Sequence, residues 1–269
     1  MARESNLKTK PVLLNRWAVR ILVICFWLLF WELLYRLIDN EIFMVSPITV
    51  IQTLWHLLGQ TYFWQAIAFS FIRIVLGFLL AVILGTFLAI LSYQNWMIKE
   101  LLIPLFKVIK ATPVASFVIL ALLWMKAGNL SVLISFLMVV PMMYTNVLQG
   151  LLATDRKLLE MAKIFCLGKW KKVKAIYLPA VMPYFYSAIS VGLGFCWKAG
   201  IAAEVIGIPS GSIGEWLYEA KIYLMTGELF AWTIVIILIS ILFENIVIHM
   251  LKPLWFTAET DKSKDLGKN

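Results

Sequence analysis

"IAFSFIRIVLGFLLAVILGTFLAIL", residues 67–91, holds 25 residues and a single charged side chain, Arg73. As a helix rising 1.5 Å per residue it reaches roughly 37 Å, more than the ~30 Å hydrocarbon core of a bilayer requires. The run is continuously apolar and does not alternate, and a backbone in lipid must satisfy its own hydrogen bonds. A strand of a barrel is therefore excluded, and a membrane-spanning helix is the reading.

The rest of the chain agrees. Of its 269 residues 62% are hydrophobic and 14% charged, with 12 Trp and 17 Phe, and the mean hydropathy is +0.88. A soluble domain of this size could not bury that much apolar surface. Counting outward from 67–91 gives six candidate spans: 17–38, 67–91, a region ending at Met125, 130–151, 183–203 and 229–251. The third is short, because its uncharged portion is only 111–125. Pro104 and Pro113 predict a kinked or broken helix there, with Lys107 and Lys110 at or near a membrane surface.

Charge orients the bundle. The connection 39–66 has no Lys or Arg, and 204–228 has four Glu against one Lys. Cations gather in the N-terminal segment (Arg3, Lys8, Lys10, Arg16), at Lys99, in the stretch from Arg156 to Lys174, and in the tail. Six spans place these four regions on one side, and the positive-inside rule makes that side cytoplasmic, with both termini inside. A net charge of +9 arranged in this way marks topology and lipid head groups, and no nucleic-acid partner is expected. The basic N-terminus leads into an apolar run with no small-residue cleavage motif, so it reads as a retained first span. On the outer side, Ser46-Pro47 begins a helix expected to lie along the interface. Residues 208–228 combine a Gly-rich turn with a short amphipathic helix. The tail from Glu259 is expected to be disordered. The division that follows is 1–66 (N-terminal segment, first span and outer amphipathic segment), 67–251 (transmembrane core with a cytoplasmic loop at 152–182) and 252–269 (cytoplasmic tail).

Chemistry is sparse. Cys25, Cys166 and Cys196 show no metal or disulfide spacing and read as small apolar fillers. His56 and His249 lie near opposite surfaces, and no metal site is assigned. No Walker loop, nucleophile elbow or pair of catalytic carboxylates occurs, which argues against an enzyme. Glu32 and Arg36, four apart, can pair on one helix face. Arg20 and Arg73 lie close enough to an interface to snorkel. Lys198 has no counter-ion three or four residues away, and Glu204 sits at a poor angle on the same helix. Lys198 therefore snorkels outward, meets a charge such as Glu244 on another span, or faces a water-filled path. Gly77, Gly85, Gly192 and Gly194 read as sites of close helix contact or of a wide cavity, with close packing favoured.

The cytoplasmic loop carries a pattern. After Thr154 or Asp155 as N-cap, Leu158, Met161, Ala162 and Phe165 share one helix face, apart from Arg156, Glu160 and Lys163. A break at Cys166-Leu167-Gly168 precedes a second short helix with Trp170, Val173 and Tyr177 on a stripe, ending at Pro179 and Pro183. These residues resemble the permease subunits of binding-protein-dependent ABC importers, whose cytoplasmic motif is Glu-Ala-Ala, three residues, Gly, nine residues, Ile-x-Leu-Pro. Here Glu160, Met161, Ala162, Cys166, Ile176, Leu178 and Pro179 stand in register, with Met161 and Cys166 the two departures. The turn calls for positive φ at the glycine position, which a cysteine resists, and Gly168 is the candidate to take that role. The stretches 70–91, 110–128 and 199–221, with the Ala-Ala-Glu at 202–204 and Gly-Ser-Ile-Gly at 211–214, are similar to the nitrate, sulfonate and taurine branch.

The resemblance implies an all-α polytopic protein of the prokaryotic inner membrane with a coupling helix between its fourth and fifth spans. Leu158, Glu160, Met161, Ala162, Phe165, Cys166, Gly168, Ile176, Leu178 and Pro179 would transmit motion from an ATP-binding cassette ATPase subunit. ATP and Mg would be bound by that partner and no cofactor by this chain. An extracytoplasmic solute-binding protein, a second permease copy in a homodimer and membrane lipid are the other implied partners. A small, anionic solute is the implied cargo, a pyrimidine cofactor precursor an alternative, and Lys198, Glu204 and Arg73 the candidate path residues. An ion-coupled secondary transporter would call for paired midplane acids or a repeat, and neither stands out.

Overall fold

The computed structural model describes the backbone of residues 16–266 and the side chains of 17–251. The basic N-terminal residues Arg3, Lys8, Lys10 and Arg16 therefore lie outside the described side chains. Every regular element among the described residues is helical. In chain order these are α1 (Arg16–Ile38), α2 (Pro47–Leu58), α3 (Thr61–Gln94), α4 (Trp96–Ala111), α5 (Val114–Leu122), α6 (Leu130–Leu152), α7 (Arg156–Ile164), α8 (Lys169–Lys172), α9 (Leu178–Gly207), α10 (Ile213–Ile222) and α11 (Thr226–Leu266). A 3-10 turn, Ala127–Asn129, leads into α6, and a π-helical turn, Val173–Tyr177, joins α8 to α9.

Five helices are long and apolar enough to cross a membrane, and a sixth crossing is made if α4 and α5 together count as one. These two meet at a 99° bend. Pro104 stays inside α4, whereas Pro113 is the N-cap of α5 and holds Thr112 extended at φ −78°, ψ 128°. The break belongs to Pro113, because a proline disfavours α geometry in the residue before it.

Three boundaries differ from the sequence reading. The second span begins at Thr61, so the division at 66/67 falls inside the continuous 34-residue helix α3. The last candidate span ends at Leu251 as read, but its helix continues to Leu266, through much of the tail expected to be disordered, while 267–269 lie outside the described residues. The third difference is at Pro179 and Pro183, which do not end a short helix. Lys169–Gly207 is one candidate span of 39 residues. The π turn lies immediately before Pro179, and its wider ring, closed by Leu178 N–H to the Val173 carbonyl, makes room for a proline that would otherwise crowd the preceding turn.

The core is α3, α6 and α9. Down α3, Ser70, Ile74, Gly77, Ala81, Gly85, Ala89 and Ser92 are buried, a stripe of mostly small residues that lets backbones approach. A Cβ on Gly85 would meet Met143 Cβ at 2.7 Å, and one on Gly77 would collide with the Val132 carbonyl. Gly192 faces Val139, but Gly194 has nothing within 4 Å, so close packing holds for three of the four glycines and not for Gly194. Tyr144 on α6 donates to Ser92 on α3 at 3.1 Å, and Trp197 and Trp232 are almost fully buried. By contrast α1 is exposed over its apolar window, with Glu32 and Arg36 paired at 2.9 Å and Arg20 within 5.7 Å of the Trp17 ring. Ser46 caps α2 by accepting from Thr49 N–H. Of the cysteines only Cys196 is buried, which corrects the reading of Cys25 and Cys166 as packed fillers.

Candidate functional site

The loop 152–182 forms one compact projection. Asp155 caps α7, its carboxylate accepting from Lys157 N–H at 2.9 Å. Ala162 is buried at 3% exposure and Ile176 at 5%, while Leu158, Met161, Ile164 and Phe165 are exposed, the last two above 70%. Glu160 is also exposed. The exposed apolar residues of this amphipathic helix have no partner among the described residues, and a contiguous patch of that kind marks an interaction surface. Trp170 projects from the following turn at 87% exposure. At the base, Tyr177 meets Tyr93 of α3, their hydroxyls 3.4 Å apart, so the projection is tied to a core helix. Leu178 is exposed and Pro179 half-buried.

α7 ends at the motif's glycine position. Cys166 itself adopts the left-handed conformation, φ 49°. Leu167 N–H donates to the Ala162 carbonyl at 2.9 Å and Cys166 N–H to that of Lys163 at 3.1 Å. This is the paired bonding of a Schellman cap. Gly168 has φ −60°, ψ 154°, an ordinary extended geometry, and does not take over the role proposed for it. The turn is kept and the cysteine bears its steric cost.

The polar residues of the spans separate into two groups. Glu204, fully buried on α9, accepts from Ser70 Oγ of α3 at 2.6 Å and from Gly214 N–H of α10 at 3.4 Å. Ser70 Oγ in turn accepts from Ile213 N–H at 3.0 Å. Arg73 lies near enough to act on this carboxylate, but its Nε donates to the Gly128 carbonyl and its guanidinium sits 3.5 Å above the Phe69 ring. Arg73 is thus anchored to the turn before α6. Glu204 faces helix packing here, and it joins α3, α9 and α10. Ser131 of α6 lies close enough to interact with the same carboxylate.

Lys198 belongs to the other group. It is exposed on α9, and the only ion pair among the described residues is Arg36–Glu32, so Glu244 is not its counter-ion. The sequence reading did not connect it with Lys110. Lys110 reaches Thr145 Oγ1 of α6 at 3.5 Å, about 10 Å from the Leu152 end of that helix at 1.5 Å per residue. No spacing signal could have joined residues on separate helices. Among the described residues no group of three or more His, Cys, Asp or Glu could hold a metal.

The family model for the binding-protein-dependent transport system inner membrane component matches residues 77–253. The chain belongs to this family. The matched region runs from the small-residue stripe of α3 through the projecting loop into α11, so both the helical core and the α7 projection lie within it. The protein is 26% identical to the putative aliphatic sulfonates transport permease protein of Bacillus subtilis, over 75% of this chain and 73% of that protein. It is 26% identical to the nitrate import permease protein of Leptolyngbya laminosa, over 71% and 70%, and 24% identical to the taurine transport system permease protein of Escherichia coli, over 80% of each. It is the transmembrane permease component of an importer.

Proposed function

We propose that this permease carries a small oxyanion, of the sulfonate, nitrate or taurine kind handled by its relatives, inward across the inner membrane after delivery by an extracytoplasmic binding protein. The observation that supports this most directly is the exposed apolar side of α7, held rigidly by Asp155 at one end and the Cys166 turn at the other. An ATPase subunit seats this helix in a surface groove, and ATP and Mg bind in that partner. When the groove moves, α7 moves with it. The Tyr177–Tyr93 contact and the unbroken helix from Lys169 to Gly207 then carry the displacement into the spans. Two copies of the chain form a homodimer around one path, α7 and both termini face the cytoplasm, and the basic residues between Arg156 and Lys174 lie against anionic lipid head groups.

The test is reconstitution of the chain with its ATPase and binding protein in liposomes. ATP-driven uptake of labelled taurine, an alkyl sulfonate or nitrate, abolished by Glu160→Lys together with ATPase association, is expected. Uptake that persists in Glu160→Lys without nucleotide would eliminate the reading.

A further inference from the structure

A groove of about 410 Å³ opens between the end of α4, α6 and α9, lined among others by Lys110, Thr145, Asn146, Ser187, Val191 and Phe195. No Asp or Glu lines it. Ser187, Val191 and Phe195 follow one another at four-residue spacing on α9 and are all exposed. Lys198, eleven residues beyond Ser187, lies within about 20° of the same face at 100° per residue and about 16 Å farther along the helix. Two ammonium groups without an ion-pair partner among the described residues thus lie toward one side of α9, Lys110 in the groove and Lys198 beyond it. A cation placed there and not paired with acid marks a water-filled or ligand-bearing surface.

The donors in the groove suit one chemistry. Lys110 gives one N–H to Thr145 and has two to spare. Thr145 turns its own hydroxyl proton to the Pro141 carbonyl at 2.7 Å, so toward Lys110 it is an acceptor that holds the ammonium in place. Asn146 donates one amide proton to the Met142 carbonyl at 2.9 Å and has a second free. The Ser187 hydroxyl is exposed on the facing helix. Val191 and Phe195 provide an apolar wall beyond.

We propose that this groove is a transit subsite for a small oxyanion, with Lys110, Asn146 and Ser187 as the donor set, Thr145 as the positioning residue for Lys110, and Lys198 as the charge that draws the anion along α9. This rests on the anion-importer reading above. The same donors would also fit a lipid phosphate, and the test separates the two, because a free anion needs an aqueous groove and a lipid does not.

The experiment places a thiol in the groove by Ser187→Cys, or by Val191→Cys should the first variant misassemble. The background carries Cys25→Ser and Cys166→Gly, leaving only the buried Cys196. The assembled transporter in liposomes is treated with anionic, cationic and neutral water-soluble methanethiosulfonates. Expected is modification by all three, with the anionic reagent about tenfold faster than the cationic one. That ratio should fall toward about one in Lys110→Gln, recover in Lys110→Arg, and decline partly in Lys198→Gln, the neutral reagent being unaffected throughout. A thiol inert to all three reagents means a groove covered by lipid or protein and overturns the proposal. So does a ratio indifferent to Lys110. ATP-driven uptake is scored separately in vesicles carrying the unsubstituted chain: uptake there with an inert thiol in the variant removes the subsite and leaves the importer reading standing. The charge-selective pattern without uptake of nitrate or taurine supports the subsite and counts against the cargo assigned above.

Discussion

Ser70 donates its hydroxyl to the buried Glu204 carboxylate at 2.6 Å across 134 residues of sequence. The same hydroxyl accepts from Ile213 N–H, so one short chain of hydrogen bonds holds the start of α10 against α3 and α9. In a site that water does not reach, each of these groups depends on the others.

Glu204→Ala removes the acceptor and leaves Ser70 Oγ–H and Gly214 N–H without a partner, at about 1–3 kcal/mol for each stranded group. Thermal unfolding in detergent, followed by tryptophan fluorescence, should shift downward by roughly 2–4 °C per kcal/mol. Glu204→Gln keeps the shape and one acceptor and should lose clearly less. Equal losses in the two variants would mean that shape and one remaining acceptor do not substitute for the carboxylate.

Cys166 is the residue of the turn after α7 with the clearest backbone cost. A side chain in the left-handed region costs roughly 1–2 kcal/mol, and glycine is free of it. Cys166→Gly should therefore tighten the end of α7, slowing tryptic cleavage at the flanking Lys163 and Lys169 by about fivefold if opening controls the rate. Cys166→Val, β-branched, should speed cleavage. An unchanged rate for both would place the cleavage elsewhere in the loop.

Phe165 is 71% exposed, so Phe165→Asp should leave folding and membrane insertion intact. If its ring enters an ATPase groove, its loss forfeits about 1.5–3 kcal/mol of burial, a tenfold to hundredfold weaker association. Co-purification of the ATPase with the variant, compared at matched expression, reads this out. Retained association would remove Phe165 from the contact surface.

The glycines of the core are not equivalent. Gly85→Ala drives a methyl against Met143 Cβ at 2.7 Å, and such overpacking costs about 1–3 kcal/mol. Gly194→Ala meets nothing within 4 Å and should be neutral or stabilising by up to about 1 kcal/mol through helix propensity. Detergent melting curves of the two variants should therefore move in different directions or by clearly different amounts.

The existence of the spans, the cap at Asp155 and the pair Glu32–Arg36 were legible in the amino-acid order, because each depends on residues within a few turns of one another. Helix continuity across Pro179 was not legible. A proline reads as a stop until the π turn that accommodates it is seen, and that turn is permitted by packing. The left-handed Cys166 is similar: propensity assigned the conformation to Gly168, but the Schellman bonds to Ala162 and Lys163 require it two residues earlier. The sharp bend at Thr112-Pro113 was anticipated as a kink, without its angle.

The sequence by itself therefore determined that this is a helical membrane protein with a short amphipathic helix between two of its spans, since hydropathy, span length and cap chemistry act locally. Only the tertiary structure decided what the intramembrane polar residues do. It placed Glu204 with Ser70 in a buried hydrogen-bond chain, tied Arg73 to the Gly128 carbonyl, and set Lys110 beside Thr145 in a groove shared with α9. Those roles depend on which helices pack together, and the close approach of α3, α6 and α9 at their small residues is a property of the assembled bundle, not of any one segment.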